Sequence, residues 1–275
     1  MKLINLAICG AMLISAASAF AQSQQIRVFS HRGGRMEYDE NTIQAFQASY
    51  DAGYRGFETD IRMTADGELI ITHDSSLERT TNGSGVVEKK TLAELRQLTT
   101  KQGNKMLTLD EFLDFLRGKP NLYVEFEMKI SPDELYPDDR LKDYCDKLYS
   151  KVMDAKGDDS LFLFTSGSYR GLRYMQEHHP DAQLLLITGK PCCQETIDLC
   201  KTLGICRLGA TMNGTSRESV QKAHKAGLIV SLWPGNSIAD FMLGAYLGAD
   251  YLCTDIPVSL KSWIATHAPE LKVMY

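Results

Sequence analysis

The sequence lacks an apolar run of the roughly 20 residues that a membrane-spanning helix needs. The apolar stretch at residues 3–17 is shorter, follows the single charge of Lys2, and leads to Ala19-Phe20-Ala21. A basic start, a short apolar stretch and such a small-residue site are typical of a secretory signal peptide. We therefore predict that residues 1–21 are a signal peptide rather than an anchor. Residues 22–275 are then an exported domain, periplasmic or extracellular, with no stable membrane anchor.

A basic excess and low-complexity segments are also absent. The formal net charge is −5 and the pI is about 5.7, whereas binding of a nucleic acid favours a basic face. We therefore expect no nucleic-acid partner. With 44% hydrophobic residues the chain can build one large core, and single α/β barrels commonly have this length. The sequence predicts a single domain and leaves its oligomeric state open.

The cysteines do not follow a zinc-binding pattern. Six of them come after the predicted signal peptide, without a paired C-x-x-C and without a nearby histidine. They are Cys145, Cys192, Cys193, Cys200, Cys206 and Cys253. Export permits disulfides, and buried free thiols explain the same residues equally well. The disulfide state therefore stays open, above all for the four cysteines between positions 192 and 206.

What the sequence does contain is an alternation of β-rich runs and amphipathic helical stretches. Glycines that suit the end of a helix follow several of these stretches, at Gly53, Gly227 and Gly248. The predicted strands are Ile26–Ser30, Gly56–Ile61, Leu122–Glu127, Leu161–Thr165, Gln183–Ile187, Cys206–Gly209, Leu228–Trp233 and Tyr251–Cys253. The clearest predicted helices are Thr42–Ala52, Leu141–Met153, Tyr169–His178, Arg217–Ala226 and Ile238–Leu247.

Eight strands, each followed by a crossover helix, predict a parallel sheet that closes into a TIM-type (β/α)8 barrel. The longest interruption runs from Leu69 to Gly118. We expect it to be a small insertion after strand two, with a hairpin and two short helices. It is too short for a second domain.

Polar side chains follow several predicted strands, and (β/α)8 barrels carry their chemistry at these carboxyl ends. His31 and Arg32 come directly after strand one. Glu58 and Asp60 are two residues apart in strand two, so both point to the same side of the pleat. The other members of this set are Glu125, Glu127 and Lys129 of strand three and the pair His73-Asp74.

Two acids on one face of a core strand raise each other's pKa or require a cation. An internal salt bridge with Arg32, Arg55 or Lys129 is one explanation. Three acids at two adjacent strand ends favour another, which is an oxygen-ligand site for a hard divalent ion. Both Ca²⁺ and Mg²⁺ fit such a site, whereas ligation by oxygen alone argues against zinc.

The two histidines that follow strands are candidates for proton transfer. A single histidine is more often a satisfied polar residue than a catalyst, but His31 and His73 are both predicted on the face that holds the acids. An imidazole titrates near pH ~6.5, so two of them can serve as base and acid in a displacement. Asp74 either orients His73 or caps a turn, and the sequence slightly favours the turn.

In order and spacing, the motifs resemble the glycerophosphodiester phosphodiesterase family over essentially the whole chain after the signal. The first set is His31-Arg32-Gly33, Glu40-Asn41-Thr42, Phe57-Glu58-Thr59-Asp60, Thr64-Ala65-Asp66-Gly67, His73-Asp74 and Leu77-Glu78-Arg79-Thr80-Thr81. The second set is Glu127-Met128-Lys129, Trp233 with Asn236, Gly248-Ala249-Asp250 and Thr254-Asp255-Ile256-Pro257. A single His-Arg-Gly is a weak signal, whereas this ordered series is specific.

The resemblance implies a TIM-type barrel that hydrolyses a glycerophosphodiester to glycerol 3-phosphate and an alcohol. It implies one divalent cation, Ca²⁺ or Mg²⁺, with the ligands Glu58, Asp60 and Glu127. His31 and His73 are then the general base and acid, with the order open and His31 favoured as base. Arg32 and Lys129 hold the phosphate charge. Glu40 orients Arg32 or contacts the metal environment, Asn41 is expected to cap helix one, and Trp233 is a supporting residue.

The same resemblance implies a route through a cyclic phosphate. The 2-hydroxyl of glycerol is already tethered beside the phosphorus, so one histidine removes its proton while the other protonates the departing alcohol. Water then opens the ring, and the histidines exchange roles. The substrate partner is a small glycerophosphodiester, whose head group the sequence leaves open.

The sequence departs from the family pattern at the predicted pocket rim. Trp233-Pro234-Gly235-Asn236 replaces the usual Trp-Thr-x-Asn, and the loop after strand six, Ala210-Thr211-Met212-Asn213, lacks the histidine of some relatives. Because proline fixes φ and has no N–H, the first of these loops is expected to sit differently. Tyr38, Phe164 and Trp233 are candidate apolar walls, although packing explains each one better. The acidic segment Ser131–Arg140 is expected near the mouth.

Two other functions fit part of the pattern. A phosphodiesterase that acts on lysophospholipids or another phosphodiester would need an apolar trough, and the sequence shows no apolar loop for membrane docking. A barrel that binds a phosphorylated ligand without turnover would have little need of an acid–base pair. Hydrolysis of a glycerophosphodiester is therefore the predicted function.

Overall fold

The computed structural model describes residues 25–275, so the predicted signal peptide lies outside the described residues. The strands are β1 (Ile26–His31), β2 (Gly56–Met63), β3 (Leu69–Ile71), β4 (Tyr123–Met128), β5 (Leu161–Ser166), β6 (Leu184–Pro191), β7 (Arg207–Thr211), β8 (Ile229–Trp233), β9 (Tyr251–Thr254) and β10 (Val273–Met274). The α-helices are α1 (Ile43–Asp51), α2 (Leu92–Leu95), α3 (Leu109–Leu116), α4 (Asp138–Ala155), α5 (Tyr169–His178), α6 (Gln194–Leu203), α7 (Arg217–Lys225), α8 (Ile238–Leu247) and α9 (Pro257–His267).

Eight parallel strands close into a barrel in the order β1–β2–β4–β5–β6–β7–β8–β9, and β9 pairs back to β1. Two short strands lie outside this ring: β3 is antiparallel to β2, and β10 lies parallel to β1. At the seam, His31 is in register with Glu58 and Phe29 with Cys253. The predicted TIM-type barrel is confirmed, and its closure brings the first and last motifs of the chain together.

The larger apolar core fills the space between the barrel and its helices. Phe46 of α1 and Phe112 of α3 meet there with ring centroids 4.5 Å apart. From the strands, Phe57 packs against Phe46 and Phe126 packs against Phe112. A buried phenylalanine of this kind stabilises the fold by about 1.5–3 kcal/mol. Phe164 belongs to this core and is fully buried, so its explanation as packing is correct.

The second core lies inside the barrel. It lies below the carboxyl ends of the strands and consists of Phe29, Tyr123, Leu163, Leu185 and Cys253. Every residue of β2 is buried, as expected of a parallel strand that is covered on both faces. The two cores together hold the strand ends in place around the mouth of the barrel.

Local signals set the helix boundaries, and one prediction among them is wrong. The side chain of Thr42, not Asn41, caps α1 by accepting a hydrogen bond from Ala45 N. Asn41 has a φ of +59° and turns its amide into the barrel instead. The glycine signals are correct, since Gly248 ends α8 in the left-handed region that glycine adopts most readily.

The insertion after β2 has the predicted content. It holds β3, a 3₁₀ helix at Val87–Lys89 and the helices α2 and α3. Both helices begin with capping boxes, Thr91 with Glu94 and Thr108 with Glu111, in which side chains satisfy the first backbone N–H groups. This segment covers one side of the mouth and carries His73 and Arg79 to it.

The cysteines and the helix lengths of the described residues complete the description of the fold. The six cysteines of the described residues are free thiols, and Cys206 is the exposed one among them. Burial raises the pKa of the Cys145 thiol to about 12, so it is an inert core residue. Within residues 25–275, the helices are each too short or too polar to cross a membrane.

Candidate active site

The three predicted metal ligands lie together at the mouth of the barrel. Each of Glu58, Asp60 and Glu127 offers an oxygen, and these oxygens lie within 4.8 Å of one another. The register between β2 and β4 causes this, because Asp60 is paired with Glu127 and the alternation of the strands turns both inward. Glu58 and Asp60 are buried, and Glu127 is partly exposed.

The electrostatics of this cluster favour a cation. Burial raises the pKa of Glu58 well above its usual value, and the nearby charges of Asp60 and Glu127 raise it further. Its Oε1 atom is buried without a hydrogen-bond partner in the described part of the chain. Such an oxygen is costly unless it is protonated or bound to a cation. Three clustered carboxylates, one of them with an unsatisfied oxygen, therefore fit a hard divalent ion such as Ca²⁺ or Mg²⁺.

Salt bridges also reach the cluster, as the first of the two explanations offered by the sequence requires. Arg32 Nε lies 3.1 Å from Asp60 Oδ2, and Lys129 Nζ lies 3.3 Å from Asp60 Oδ1 and 2.7 Å from Glu127 Oε1. Burial opposes ionisation of Asp60, but these two cations outweigh it and hold the pKa of that carboxyl below its usual range. Arg55 takes no part, since it donates to the backbone of Tyr50 and Tyr54.

Arg32 is held in a strained backbone at the end of β1. Its φ is +53°, in the left-handed region, and its guanidinium donates to Glu40 Oε1 at 3.2 Å. Asn41 supports the same network by donating to Asp60 Oδ2 at 2.9 Å while accepting from Thr59. Strained backbones persist where surrounding contacts fix them, and they are common in functional sites. Glu40 thus contacts Arg32, which fits one of the two roles that the sequence left open for it.

Each histidine has a carboxylate on its Nδ1 atom. His31 Nδ1 lies 2.5 Å from Asp255 Oδ1, and Asp255 also contacts Arg35 at 2.9 Å. Burial alone would raise the pKa of Asp255, but the hydrogen bond with His31 and the contact with Arg35 lower it. An ionised carboxylate accepts only, so Nδ1 donates this hydrogen bond and the second ring nitrogen, Nε2, is directed away from Asp255. That Nε2 lies 3.7 Å from Glu58 Oε2, so it points towards the acid cluster.

His73 has the matching arrangement, which corrects the slight preference for a turn-capping Asp74. Its Nδ1 lies 2.6 Å from Asp74 Oδ1. Arg79 contacts the other oxygen of Asp74 and donates twice to Glu40, each time at 2.8 Å. Burial lowers the pKa of His73 despite the opposing effects of Asp60 and Asp74.

Both histidines line one cavity of about 940 Å³ that opens at the mouth of the barrel, whereas Asp60, Asp255, Glu40 and Asn41 lie behind its wall. Trp233 and Pro234 lie on its wall, whereas Tyr38 and Phe164 do not line it. Ser131 and Asp133 place the predicted acidic segment at the rim. The site residues predicted from the sequence on this wall are His31, Arg32, Glu58, His73, Glu127, Lys129 and Trp233.

Some parts of the site were not assigned from sequence. Asp255 appeared only as part of a closing motif, although its position directly after β9 was a usable signal. Arg79 likewise appeared only as part of a motif, because its contacts depend on how the insertion folds back. Glu125 was noticed on the face of Glu127 but given no role. It accepts a hydrogen bond from the Tyr123 hydroxyl, and burial raises its pKa to about 7.

Comparison with known proteins agrees with this geometry. A phosphodiesterase of Oleispira antarctica, solved in complex with the product sn-glycerol-3-phosphate, superposes with a TM-score of 0.78 at 23% identity. The superposition covers 91% of this chain and 99% of that chain, and it shows a shared fold. A glycerophosphodiester phosphodiesterase of Bacillus altitudinis is 26% identical over 240 residues, which are 84% of this chain and 95% of that protein.

The match is stronger over a shorter length in other relatives. A glycerophosphodiester phosphodiesterase of Caldanaerobacter subterraneus is 37% identical over 117 residues, and that match spans 47% of its length and 40% of this chain. Residues 31–259 match the sequence profile of the glycerophosphoryl diester phosphodiesterase family. The chain therefore belongs to the glycerophosphoryl diester phosphodiesterase family, which confirms the family and the enzyme class predicted from the ordered motifs.

Proposed function

We propose that this protein hydrolyses glycerophosphodiesters to glycerol 3-phosphate and an alcohol by acid–base catalysis with two histidines. The observation that carries the proposal is the pairing of each histidine with its own carboxylate, His31 with Asp255 and His73 with Asp74, on one cavity with the acid cluster. A phosphate-binding protein without turnover would need the cations but not two oriented imidazoles. The product bound by the Oleispira antarctica phosphodiesterase has the chemistry expected here.

His31 is the proposed base in the first step. Its Nε2 faces the acids, so in the neutral imidazole it can take the proton of the glycerol 2-hydroxyl. Asp255 then stabilises the imidazolium that forms. Attack by this hydroxyl on phosphorus forms a cyclic phosphate and breaks the bond to the departing alcohol. Because the hydroxyl is tethered to the same phosphodiester, its attack avoids the entropic cost of binding a second reactant.

His73 is the proposed acid on the other side of the phosphorus. Its imidazole protonates the oxygen of the departing alcohol, and its lowered pKa makes the protonated form a stronger proton donor. In the second step the roles reverse: His73 takes a proton from water, water opens the ring, and His31 returns a proton to the 2-oxygen. Each histidine therefore ends the cycle in the state in which it began.

Glu58, Asp60 and Glu127 would hold the divalent cation, Ca²⁺ or Mg²⁺. When bound, such an ion neutralises phosphoryl charge and lowers the pKa of a hydroxyl that contacts it. Arg32 and Lys129 line the cavity beside Asp60, so both cations are placed to share the remaining phosphate charge. Arg32 offers two N–H groups in a fixed plane, which suits a phosphate oxygen pair.

Product analysis tests the proposal. Purified protein would be stripped with a chelator, given back Ca²⁺ or Mg²⁺, and incubated with a panel of glycerophosphodiesters and lysophospholipids. We expect glycerol 3-phosphate from the glycerophosphodiesters only when metal is restored. Formation of an acylated glycerol phosphate, from the lysophospholipids alone, would favour that second substrate class. Full activity in the chelator would contradict the metal requirement.

The histidines are tested in the same assay. We expect His31→Ala and His73→Ala each to lower kcat by at least about 1,000-fold, because general acid–base catalysis contributes about 10²–10⁴-fold for each group. Circular dichroism would confirm that both variants fold. His179→Ala is a matched control, because His179 also pairs with an aspartate, Asp146, but lies away from the cavity. Near-native turnover of either variant would remove that histidine from the chemistry.

Export of the protein belongs to the same proposal. A signal peptide at residues 1–21 would place the enzyme outside the cytoplasm, where it would meet the deacylated products of phospholipids. Mass determination of the protein recovered from the exported fraction would test this. A mature N-terminus at Gln22 is expected, and retention of the full-length chain in the cytoplasm would contradict it.

A further inference from the structure

Arg62, near the end of β2, lies outside the cavity and is 5% exposed. Its guanidinium holds the main chain of His73. Nε donates to the backbone carbonyl of His73 at 3.0 Å, and Nη2 donates to the same oxygen at 2.8 Å. Two N–H groups of one rigid plane therefore bind the backbone of the proposed acid histidine from behind the cavity wall.

The same guanidinium also binds the end of β4. Its Nη1 donates to the backbone carbonyl of Ser131 at 3.2 Å and to that of Lys129 at 3.4 Å. This part of the chain carries Glu127 and Lys129, the groups proposed to hold the cation and the phosphate. Arg62 therefore connects the loop that carries His73 with the strand end that binds the phosphoryl group.

A buried carboxylate keeps the guanidinium in this orientation. Glu88, on the 3₁₀ helix of the insertion, lies 2.5 Å from Arg62 Nη1, and its side chain is 1% exposed. The hydroxyl of Tyr136 donates to Glu88 at 3.2 Å and accepts from Met63 N at 3.2 Å. Segments from β2, from the insertion and from the loop after β4 therefore meet around Arg62.

The stability of the fold does not explain this arrangement by itself. The cost of removing two charges from water can exceed their attraction, and an apolar pair of similar volume is often as stable as a buried ion pair or more so. An apolar pair, however, cannot hold three carbonyls in fixed directions. Arginine has five N–H groups in one plane, whereas lysine has one flexible ammonium group. The contacts of Arg62 therefore indicate a requirement for position.

His73 has less support from the barrel than the acids of the site. It follows β3, a strand of three residues that lies outside the ring and is antiparallel to β2. The end of β4 has an attachment of its own, since Lys129 N donates to Ile61 O at 3.0 Å. Loss of the connection through Arg62 would therefore release His73 and leave Lys129 in place.

We propose that Arg62 is a positioning residue for the reaction, which holds His73 at a fixed place relative to the phosphate-binding end of β4. This inference rests on the proposed function, because Arg62 acts through the acid role of His73. A displacement of about 1 Å in a positioned group can cost a factor of about 10² in rate. Loss of Arg62 should therefore slow protonation of the departing alcohol and leave binding of the cation unchanged.

Two glycerophosphodiesters with different departing groups test the inference. One releases an alkyl alcohol, whose oxygen needs a proton, and the other releases p-nitrophenolate, which departs without one. Arg62→Lys keeps a cation beside Glu88 but cannot hold the three carbonyls. We expect it to lower kcat/KM by about 10–100-fold for the alkyl diester and to leave that of the p-nitrophenyl diester nearly unchanged. For the second substrate, kcat/KM reports only the steps up to release of the phenolate.

His73→Ala provides the reference pattern, which is a larger loss that is also confined to the alkyl diester. Adding Arg62→Lys to that variant should cause little further loss, because two residues that act through one group are not additive. Arg140→Lys is the matched control. Arg140 also lies outside the cavity and donates to two backbone carbonyls, those of Met63 at 2.9 Å and Thr64 at 3.0 Å. Its kinetics with both diesters should equal those of the wild type.

A second variant keeps the test decisive if Arg62→Lys does not fold. Arg62→Met combined with Glu88→Gln removes both charges, so neither is left buried and unpaired, and the glutamine can still accept from Tyr136. Circular dichroism would confirm the fold of each variant, and calorimetry would measure its affinity for Ca²⁺. We expect the same loss with the alkyl diester alone, and an affinity for the cation equal to that of the wild type.

The outcomes separate this inference from the proposed function. Equal losses with the two diesters, or wild-type kinetics in a folded Arg62 variant, would overturn the positioning role and leave the hydrolysis intact. A large further loss on adding Arg62→Lys to His73→Ala would also overturn it, because Arg62 would then act on another group. Failure of the wild type to hydrolyse either diester, or equal losses with both in His73→Ala, would instead overturn the proposed function.

Discussion

At the scale of single residues, the two histidines differ in how their surroundings hold them. His31 is oriented by a buried aspartate that an arginine also contacts, whereas His73 is oriented by Asp74, which is partly exposed. We therefore expect a substitution of Asp74 to change the properties of its histidine with less disturbance of the surrounding structure. Burial lowers the pKa of His73, and the hydrogen bond with Asp74 raises it. Because Asp74 is not one of the three clustered acids, its effect can be tested without changing the acid cluster.

Asp74→Asn should change the pH dependence of the reaction. The hydrogen bond with Asp74 raises the pKa of His73, so its loss adds to the lowering caused by burial. A histidine that must be protonated to act as acid loses activity as pH rises through its pKa. The alkaline limb of the kcat/KM profile should therefore move to lower pH, and kcat should fall about tenfold or more.

Asp146→Asn is the control for this profile, because Asp146 holds His179 at 2.7 Å, away from the cavity. That variant should have the pH profile of the wild type. A shift of the acid limb in Asp74→Asn would instead assign His73 as the base of the first step. An unchanged profile with reduced kcat would mean that Asp74 does not act through His73.

Residue-scale prediction from the sequence succeeded where neighbouring strands decide the contact. His31, Glu58, Asp60 and Glu127 meet because they stand at adjacent strand ends, and this rule needs no knowledge of the loops. It failed for Asn41, whose spacing before helix one fits a cap equally well as the turn into the barrel. The choice depends on Asp60, a buried carboxylate that accepts a hydrogen bond from the Asn41 amide N–H. A cap would instead have used the Asn41 amide oxygen as an acceptor for a helix N–H.

At the scale of elements, the barrel strands and the longer helices could be predicted because their apolar periodicity is undisturbed. The helices Tyr169–His178 and Ile238–Leu247 have the predicted bounds. Strand β6 runs past its predicted end at Ile187 to Pro191, through a shift in register that no local pattern announces. The path of the insertion was beyond prediction for a similar reason, since its contacts with the mouth are made by irregular segments.

The insertion takes part in the site through Arg79. This residue ties Asp74 of the insertion to Glu40 of the β1–α1 loop, and Glu40 in turn holds Arg32. We expect Arg79→Gln to lower kcat by about 10–100-fold, because a shift of about 1 Å in a positioned group can cost a factor of 10². Its effect on stability should be small, below about 1 kcal/mol, since Arg79 is 45% exposed.

The matched control for this element is Arg117→Gln. Arg117 also pairs with an aspartate, Asp114, on the solvent side of α3. Thermal unfolding and steady-state kinetics would be measured for both variants. Equal and small losses of activity in the two would show that Arg79 has only a surface role, whereas a large fall in melting temperature for Arg79→Gln would show that it mainly holds the insertion.

At the scale of the whole molecule, the acid cluster links the chemistry to the stability of the barrel. Glu58 and Glu127 come from adjacent strands, so their repulsion acts across the sheet that closes the fold. A cation that binds only the folded barrel stabilises it, by about 2.7 kcal/mol when its concentration is 100 times Kd. For a domain of this size that amounts to a rise in melting temperature of about 5–10 °C.

Thermal unfolding with and without metal would therefore measure the site independently of turnover. Ca²⁺ or Mg²⁺ should raise the melting temperature of the wild type, and a chelator should reverse the change. In Glu58→Gln the metal-dependent rise should be lost, while the metal-free protein should be as stable as the wild type or more so. The reason is that glutamine has nearly the same shape but removes a buried charge that its neighbours repel.

Glu218→Gln is the control, because Glu218 is an exposed acid on α7 that pairs with Lys222. Its metal-dependent rise should equal that of the wild type. A wild type that is indifferent to both ions would contradict the metal site. A Glu58→Gln variant that is destabilised without metal and still stabilised by it would mean that Glu58 serves the fold rather than the cation. Glu58→Gln is thus expected to lose the stabilisation by metal and to keep or gain stability without metal. This combination is expected only if the carboxylate that destabilises the metal-free barrel is also the group that binds the ion.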